Sequence, residues 1–345
     1  MSHPLPLALT MGDPAGVGPL LTWRAWEKCK TKHADHQSPF FVIASKDILH
    51  AAQKKSGIEG RIETINSPQD AVDIFHKSLP VLHIDCPETQ LGKPNPESAH
   101  AIIESIQMAV DFTYKNQASG VVTNPINKSL LYKKGFSFPG HTEFLAHLAH
   151  SQQGDSLASA PLPIMMLVGG GLRVALATIH TALREVPDLI TQALIEDVSR
   201  IVHAGLSRDF GLNSPRIALA GLNPHAGEEG SLGMEEIEQI NPAAKTLRDS
   251  GLNISDAQPG DTVFHAMLEG QYDAVIAMFH DQGLAPLKSL DMWGGVNVTL
   301  GLPFIRTSPD HGTGYGVAED GSARADSLIA AINLASDMAK ARASA

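Results

Sequence analysis

Leu5-Pro6-Leu7-Ala8-Leu9-Thr10-Met11-Gly12-Asp13-Pro14-Ala15-Gly16-Val17-Gly18-Pro19 opens the chain with an apolar run, a turn and a helix start in immediate succession. Leu5 to Met11 reads as a buried strand, and Gly12 to Gly16 breaks it. Pro19 suits a first helical turn, where its missing N–H would have had no partner. A strand that passes through a turn into a helix is the unit of mostly parallel α/β architecture.

Working outward, the rhythm repeats. Phe40 to Ala44 (FFVIA) is a second strand, and Ser45 with Asp47 can start a short helix after it. Val81 to Ile84 is a weaker strand, followed by a loop from Pro87 to Pro96. Between Glu97 and Asn116, Ala101, Ile102, Ser105, Ile106, Ala109 and Val110 recur at helical spacing and predict the clearest helix of the chain. Gly120 to Thr123 runs into the turn Asn124-Pro125. The apolar stretch Pro161 to Ala177 approaches the length of a membrane span, but Gly169, Gly170, Gly171 and Arg173 make it a strand, a glycine turn and a second strand. Further helices are expected at 187–204, 240–250 and 324–341.

Composition narrows the function classes. With 345 residues, 43% of them hydrophobic, the chain can bury two medium-sized cores. A formal net charge of -11 offers no basic surface for nucleic acid or an anionic membrane. Cys29 and Cys86 form no metal or redox motif, which points to a reducing compartment. The N-terminus lacks a basic segment before its apolar run, so a cytoplasmic location is expected.

Three apolar runs end close to a histidine: Val174 to Ile179 before His180, Ile217 to Ala220 before His225, and Ala274 to Phe279 before His280. In an α/β sheet the carboxyl ends of the strands form the rim where ligands bind. Imidazoles delivered there suit a divalent ion with an open position, although their spacing matches no short metal motif. Asp281 can orient the His280 ring. Thr142, in Pro139-Gly140-His141-Thr142-Glu143, reads either as the cap of a helix from Glu143 to Ala149 or, with His141, as part of an anion seat. Asp261 is either a cap for a helix at 262–268 or a carboxylate facing the site. Lys288 and Arg306 can pair with phosphate or carboxylate, or can simply be solvated, and Asn297 is open in the same way. No GxGxxG or GxxxxGK[ST] is present, and the loop Asp310-His311-Gly312-Thr313 with its following glycines is weak evidence for a pyrophosphate cradle.

Together, TMGDPAGVGP at 10–19, VTNPINK at 122–128, PGHTEFLA at 139–146, ALATIH at 175–180, GLNPHAGEEG at 221–230, GDTVF at 260–264, MFHDQGLAPLK at 278–288 and NVTLGLPFIRTSPDHGT at 297–313 resemble the 4-hydroxythreonine-4-phosphate dehydrogenase family of pyridoxine biosynthesis. The resemblance covers nearly the whole chain. It implies two α/β/α domains with a central cleft, similar to the isocitrate and isopropylmalate dehydrogenases. The first domain would comprise 1–130 with 310–345, and the second, carrying the metal histidines, 131–309. It implies a divalent metal on His180, His225 and His280, with zinc first and magnesium, cobalt or manganese as alternatives. It assigns substrate contacts to His141, Thr142, Lys288, Asn297 and Arg306, and catalytic roles to Lys288 and Asp261. NAD, or NADP, would contact Asp310, His311, Gly312 and Thr313. The implied reaction is oxidation and decarboxylation of 4-phosphooxy-L-threonine by a homodimer; the alternative substrate is a four-carbon sugar-acid phosphate such as threonate or erythronate 4-phosphate. The chain departs from the family pattern at Gly314-Tyr315-Gly316-Val317, at Leu290 to Gly295, and at Ser151 to Ala160.

Overall fold

The strands, in chain order, are β1 (Leu7–Thr10), β2 (Phe40–Ala44), β3 (Ile62–Thr64), β4 (Leu79–His83), β5 (Val121–Val122), β6 (Ile164–Gly169), β7 (Leu172–Leu176), β8 (Ile217–Ala220), β9 (Ile254–Gln258), β10 (Ala274–Ala277), β11 (Val296–Leu300) and β12 (Arg306–Pro309). The computed structural model describes residues 5–31, 38–153 and 162–344. Most of the expected departure at Ser151 to Ala160 therefore lies outside the described residues.

Two compact units divide the chain: 1–163 with 302–340, and 164–301 with 341–345. The expected division at 130/131 and 309/310 is displaced: β12 pairs with β5 and holds residues 302–309 in the first unit, and the helix His141–Gln153 packs there on the helix Ala99–Tyr114, whose Tyr114 hydroxyl donates to the Ala149 carbonyl at 2.9 Å. The first unit's strands lie in the order β3-β4-β2-β1-β5-β12 and pair in parallel. β1 and β2 are buried along their whole length, as strands covered on both faces must be, which explains their unbroken apolar sequence. Pro19 sits in the first turn of the helix Gly18–Lys30, and Lys28 and Lys30 occupy its last turn, where positive charge suits the exposed carbonyls. Trp23 and Trp26 on this helix pack edge to face at 5.7 Å, and their indole N–H groups donate to the carbonyls of Leu49 and Phe75. The helix Ala99–Tyr114 buries the expected stripe, and Ser105 belongs to it for a reason that its polarity hides. Its Oγ accepts from the Met11 N–H at 2.9 Å and donates to the Ile43 carbonyl at 2.7 Å, just beyond β1 and within β2.

The second unit's strands run β11-β6-β7-β10-β8-β9. β6 is antiparallel to both β11 and β7, and the remaining pairs are parallel, so this sheet is mixed. The β6–β7 hairpin turns at Gly170 and Gly171, both at positive φ (58° and 86°), a conformation that glycine adopts without a steric penalty. Leu167, Val174, Leu176, Val275, Phe264 and Leu287 belong to the core that β6, β7 and β10 share with flanking helices. The helix expected at 187–204 runs Gln192–Phe210, because Thr191 caps it by accepting from the Leu194 N–H at 3.2 Å. Both cysteines are free thiols, and no helix among the described residues is long and apolar enough to cross a membrane.

Candidate active site

Each expected site residue is placed within one unit or the other. In the second unit the chain beyond β7 runs alongside the chain beyond β10: Ala177 N–H donates to the Ala277 carbonyl at 2.8 Å, and the Thr178 hydroxyl to the Met278 carbonyl at 2.7 Å. This carries His180 and His280 to the same strand-end rim, with ring centroids 5.9 Å apart. An ion bound at an imidazole nitrogen lies about 3 Å from the ring centre, so two rings at this spacing can share one. His280 Nδ1 lies 2.7 Å from Asp281 Oδ1, the arrangement expected when the ring N–H donates to the carboxylate and leaves Nε2 for a ligand. Gln282 then ties strand ends together, accepting from the Met278 N–H and donating to the Gly221 carbonyl, both at 2.7 Å. Gly221 N–H in turn donates to the Gln258 carbonyl, also at 2.7 Å.

His225 shares a pocket of about 350 Å³ with Asn223, Gly260, Asp261 and Gln282. Among the described residues no group of three His, Cys, Asp or Glu side chains is gathered to hold an ion, so the structure joins His180 to His280 and places His225 with Asp261 instead. Imidazole nitrogens and carboxylate oxygens are donor types that a divalent cation takes. His180 (φ 36°) and His225 (φ 51°) are both left-handed, which costs an L-residue about 1–2 kcal/mol each and is retained where surrounding structure fixes it. Asp261 does not cap the helix Val263–Leu268; Thr262 precedes that helix, and Asp261 is left to line the pocket. Lys288 is half-buried in the last turn of the helix His280–Leu290, about 12 Å along the axis from His280. Asn297 is half-buried on β11, opposite Leu167 of β6.

The first unit holds a separate cationic seat. Arg306 opens β12 beside Val121, is 4% exposed, and donates from Nη2 to the Thr123 hydroxyl at 2.8 Å. Burial lowers its pKa to about 10, an effect countered by the nearby Glu143 carboxylate. Burial also holds the His141 imidazole well below its usual pKa, and the charges of Arg306 and Lys128 push it the same way. His141 Nε2 is enclosed and has no hydrogen-bond partner. The helix His141–Gln153 starts one residue ahead of Thr142, with Phe144 N–H donating to the Gly140 carbonyl at 3.2 Å. Thr142 is consequently not the cap but sits in the first turn, where N–H groups point toward an anion. A Cβ on Gly140 would come within 2.6 Å of Glu143 Oε2 and 3.0 Å of Lys128 Nζ, so glycine is what lets those two side chains close over this end of the helix. Nothing in the sequence marks Lys128, since a lysine after Asn127 looks like an ordinary solvated base.

The loop Asp310-His311-Gly312-Thr313 rests on the turn after β1: Val17 N–H donates to the Thr313 carbonyl at 2.8 Å, and a Cβ on Gly16 would lie 2.8 Å from that oxygen. Asp310 N–H donates to the Ser327 hydroxyl at 3.0 Å, while His311 and Gly312 are exposed.

The family model described as pyridoxal phosphate biosynthetic protein PdxA matches residues 35–335. A 4-hydroxythreonine-4-phosphate dehydrogenase from Methylorubrum populi is 47% identical over 338 residues, covering 97% of this chain and 95% of the relative. One of the same name from Caulobacter vibrioides is 46% identical and covers 98% of each chain. A solved structure of a 4-hydroxythreonine-4-phosphate dehydrogenase from Klebsiella pneumoniae superimposes with a TM-score of 0.84 at 34% identity, covering 97% of this chain and 99% of that one.

Proposed function

Because the chain belongs to the PdxA family of pyridoxal phosphate biosynthetic proteins, we propose that it oxidises 4-phosphooxy-L-threonine with NAD and releases carbon dioxide, leaving 3-amino-2-oxopropyl phosphate. The observation that carries this reading is the cationic seat around His141, in which Arg306 is buried. Arg306 and Lys128 against Glu143 leave a net positive charge there, beside an imidazole whose enclosed Nε2 has no partner. A phosphate monoester supplies the missing anion. Held by Arg306, Lys128, His141 and Thr142, it turns binding energy remote from the reacting carbon into orientation.

For His180, His225 and His280 to hold one divalent ion, the His225 ring would have to close on the His180–His280 pair; by donor type the ion would be zinc, with magnesium, cobalt or manganese as alternatives. When bound, it supplies positive charge beside the substrate hydroxyl as hydride departs. Asp261, in the pocket with His225, is the carboxylate available to receive the hydroxyl proton. The Lys288 ammonium balances the charge that develops when the carboxylate leaves, and Asn297 fixes the substrate by hydrogen bonding. The proton lost from the hydroxyl equals the one gained at carbon, so the overall change is one hydride moved to NAD and one carbon dioxide released. Backbone groups of 310–313 are the proposed NAD contacts. The finer architecture, two α/β/α domains of the isopropylmalate dehydrogenase kind with a central cleft, assembled as a homodimer, belongs to this proposal and is checked by light scattering and crystallography.

The test is NADH formation by metal-supplemented protein with 4-phosphooxy-L-threonine or erythronate 4-phosphate, and with NAD or NADP. Faster turnover of the amino acid with stoichiometric carbon dioxide supports the reading. Turnover of the hydroxy acid alone would move the chain to sugar-acid phosphate oxidation.

A further inference from the structure

The turn that carries His225 is left-handed over five consecutive residues: His225, Ala226, Gly227, Glu228 and Glu229 have φ values of 51°, 53°, 84°, 43° and 54°. Four of these are not glycine, so the backbone does not choose this course by itself. Its own hydrogen bonds are short-range: Ala226 N–H to the Asn223 carbonyl, Ser231 N–H to Glu228 and Leu232 N–H to Gly227, each 3.1 Å. Something outside the turn has to hold it.

We propose that Glu236, to which the mechanism assigns nothing, is the positioning residue for His225: its carboxylate clamps the left-handed turn from both flanks. Glu236 is 1% exposed. Oε1 accepts from the Asn223 backbone N–H at 2.7 Å, and Oε2 accepts from Asn223 Nδ2 at 3.0 Å. Asn223 Nδ2 also donates to Glu235 Oε2 at 2.7 Å, which fixes the amide orientation. On the far side of His225, a Cβ on Gly227 would stand 2.7 Å from Glu236 Oε2, and one on Gly221 3.2 Å from Oε1. The carboxylate thus touches the chain before His225 and after it, and only glycine at 227 lets it approach so closely. Glu236 itself begins a π-helical turn, Glu236–Ile240, a wider winding often found at functional sites. A buried carboxylate with both oxygens engaged on one loop fixes backbone direction more firmly than an apolar contact, because displacement would leave charge and donors unpaired in a dry environment.

This inference rests on the reading of His225 as a metal ligand, and the experiment separates the two. The full chain, stripped of metal, is titrated with zinc alone by calorimetry, and hydrogen exchange is followed across 221–230. Glu236→Gln keeps the shape but sets an amide donor against Asn223 Nδ2. The expected result is zinc affinity weakened by about 10- to 100-fold, as for other groups that orient ligands, with faster exchange at 221–230 in the metal-free protein and unchanged far-ultraviolet circular dichroism. Asn223→Ala, which removes only the side-chain bonds, is expected to shift both readouts the same way by less, and it stands in should Glu236→Gln fail to fold. His180→Ala reports on the metal site independently of the turn. Zinc binding to Glu236→Gln as tight as to the parent overturns the clamp while leaving the metal reading intact. A parent protein that takes up no zinc overturns both.

Discussion

The Tyr315 hydroxyl donates a 2.6 Å hydrogen bond to Asp13 Oδ2 and accepts one of 2.8 Å from Asn127 Nδ2. Asp13 is fully buried in the turn after β1, and its other oxygen accepts from the Ala15 N–H at 2.9 Å. This bond therefore joins the GDPAG turn to the start of the helix Tyr315–Asp320, immediately after the loop proposed to contact NAD.

Tyr315→Phe removes the donor and leaves a buried carboxylate oxygen short of one bond, which is expected to cost about 1–3 kcal/mol. Burial raises the Asp13 pKa, and the Tyr315 and Ala15 bonds oppose that rise, so it climbs further in the variant. An acid whose folded pKa is raised binds its proton more tightly in the native state. Its contribution is therefore complete below the unfolded value and is lost as pH rises through the folded one. Urea unfolding across pH should show this decline reaching higher pH in Tyr315→Phe than in the parent. An unchanged pH profile would mean that Asp13 does not depend on Tyr315. The KM for NAD should rise more than kcat falls, because the loop loses its tether while the reacting groups stay in place.

Arg306→Lys keeps the charge but loses the planar fork that reaches Thr123 while still presenting donors to an anion. Inorganic phosphate binding and the KM for the phosphorylated substrate should each weaken about tenfold or more, the size of one charge-assisted hydrogen bond. Calorimetric titration with phosphate checks it; retained affinity would remove Arg306 from the seat.

His141 gives a pH window of the opposite sign. Its folded pKa lies well below the ordinary value near 6.5. The neutral form thus contributes stability that is present above the unfolded pKa and is lost as pH falls through the lower folded value. Inorganic phosphate offsets the Arg306 and Lys128 charges and should draw a proton onto the imidazole, so binding in mildly acid buffer is expected to take up protons. Calorimetry in buffers of different ionisation enthalpy measures this uptake, and His141→Asn should abolish it.

Gly140→Ala should separate binding from folding. Its Cβ meets only the ends of Glu143 and Lys128, which can swing aside, so Tm should change little. Phosphate affinity should fall, since Lys128 is displaced from the seat. A variant with parent-like affinity would show that Lys128 takes no part.

Much of this arrangement was legible because apolar runs report burial directly. The apolar runs of β1, β2, β7, β8 and β10 are legible in the sequence, and β7 and β10 carry with them the delivery of His180 and His280 to a rim. The strands β3 and β9 leave little trace in the sequence: each has another strand on one side only, and their half-exposed residues, IET and ISDAQ, carry no apolar signature. β12 was hidden for another reason. Its residues Arg-Thr-Ser-Pro are polar yet wholly buried, satisfied by tertiary bonds such as Thr307 Oγ1 to the Ala331 carbonyl at 2.8 Å. That concealment also displaced the expected unit boundary. Glu236 and Lys128 illustrate the remaining gap: the burial of Glu236 depends on a turn that no spacing rule describes, and the approach of the exposed Lys128 to Gly140 depends on a loop that no motif predicts.

The discontinuity of the first unit sets an order of events on the ribosome. β5 pairs with β1 on one side and with β12 on the other, and β12 is made only after every strand of the second unit has emerged. Until then β5 presents a bare edge, open to pairing with other nascent chains. The second unit's strands all fall within one uninterrupted stretch, so it can complete its sheet while the first unit waits for the last fraction of the polypeptide. Translation that stalls or ends ahead of residue 306 would release a finished second unit on an unfinished first one, and such truncated products are the ones expected to burden chaperones and proteases.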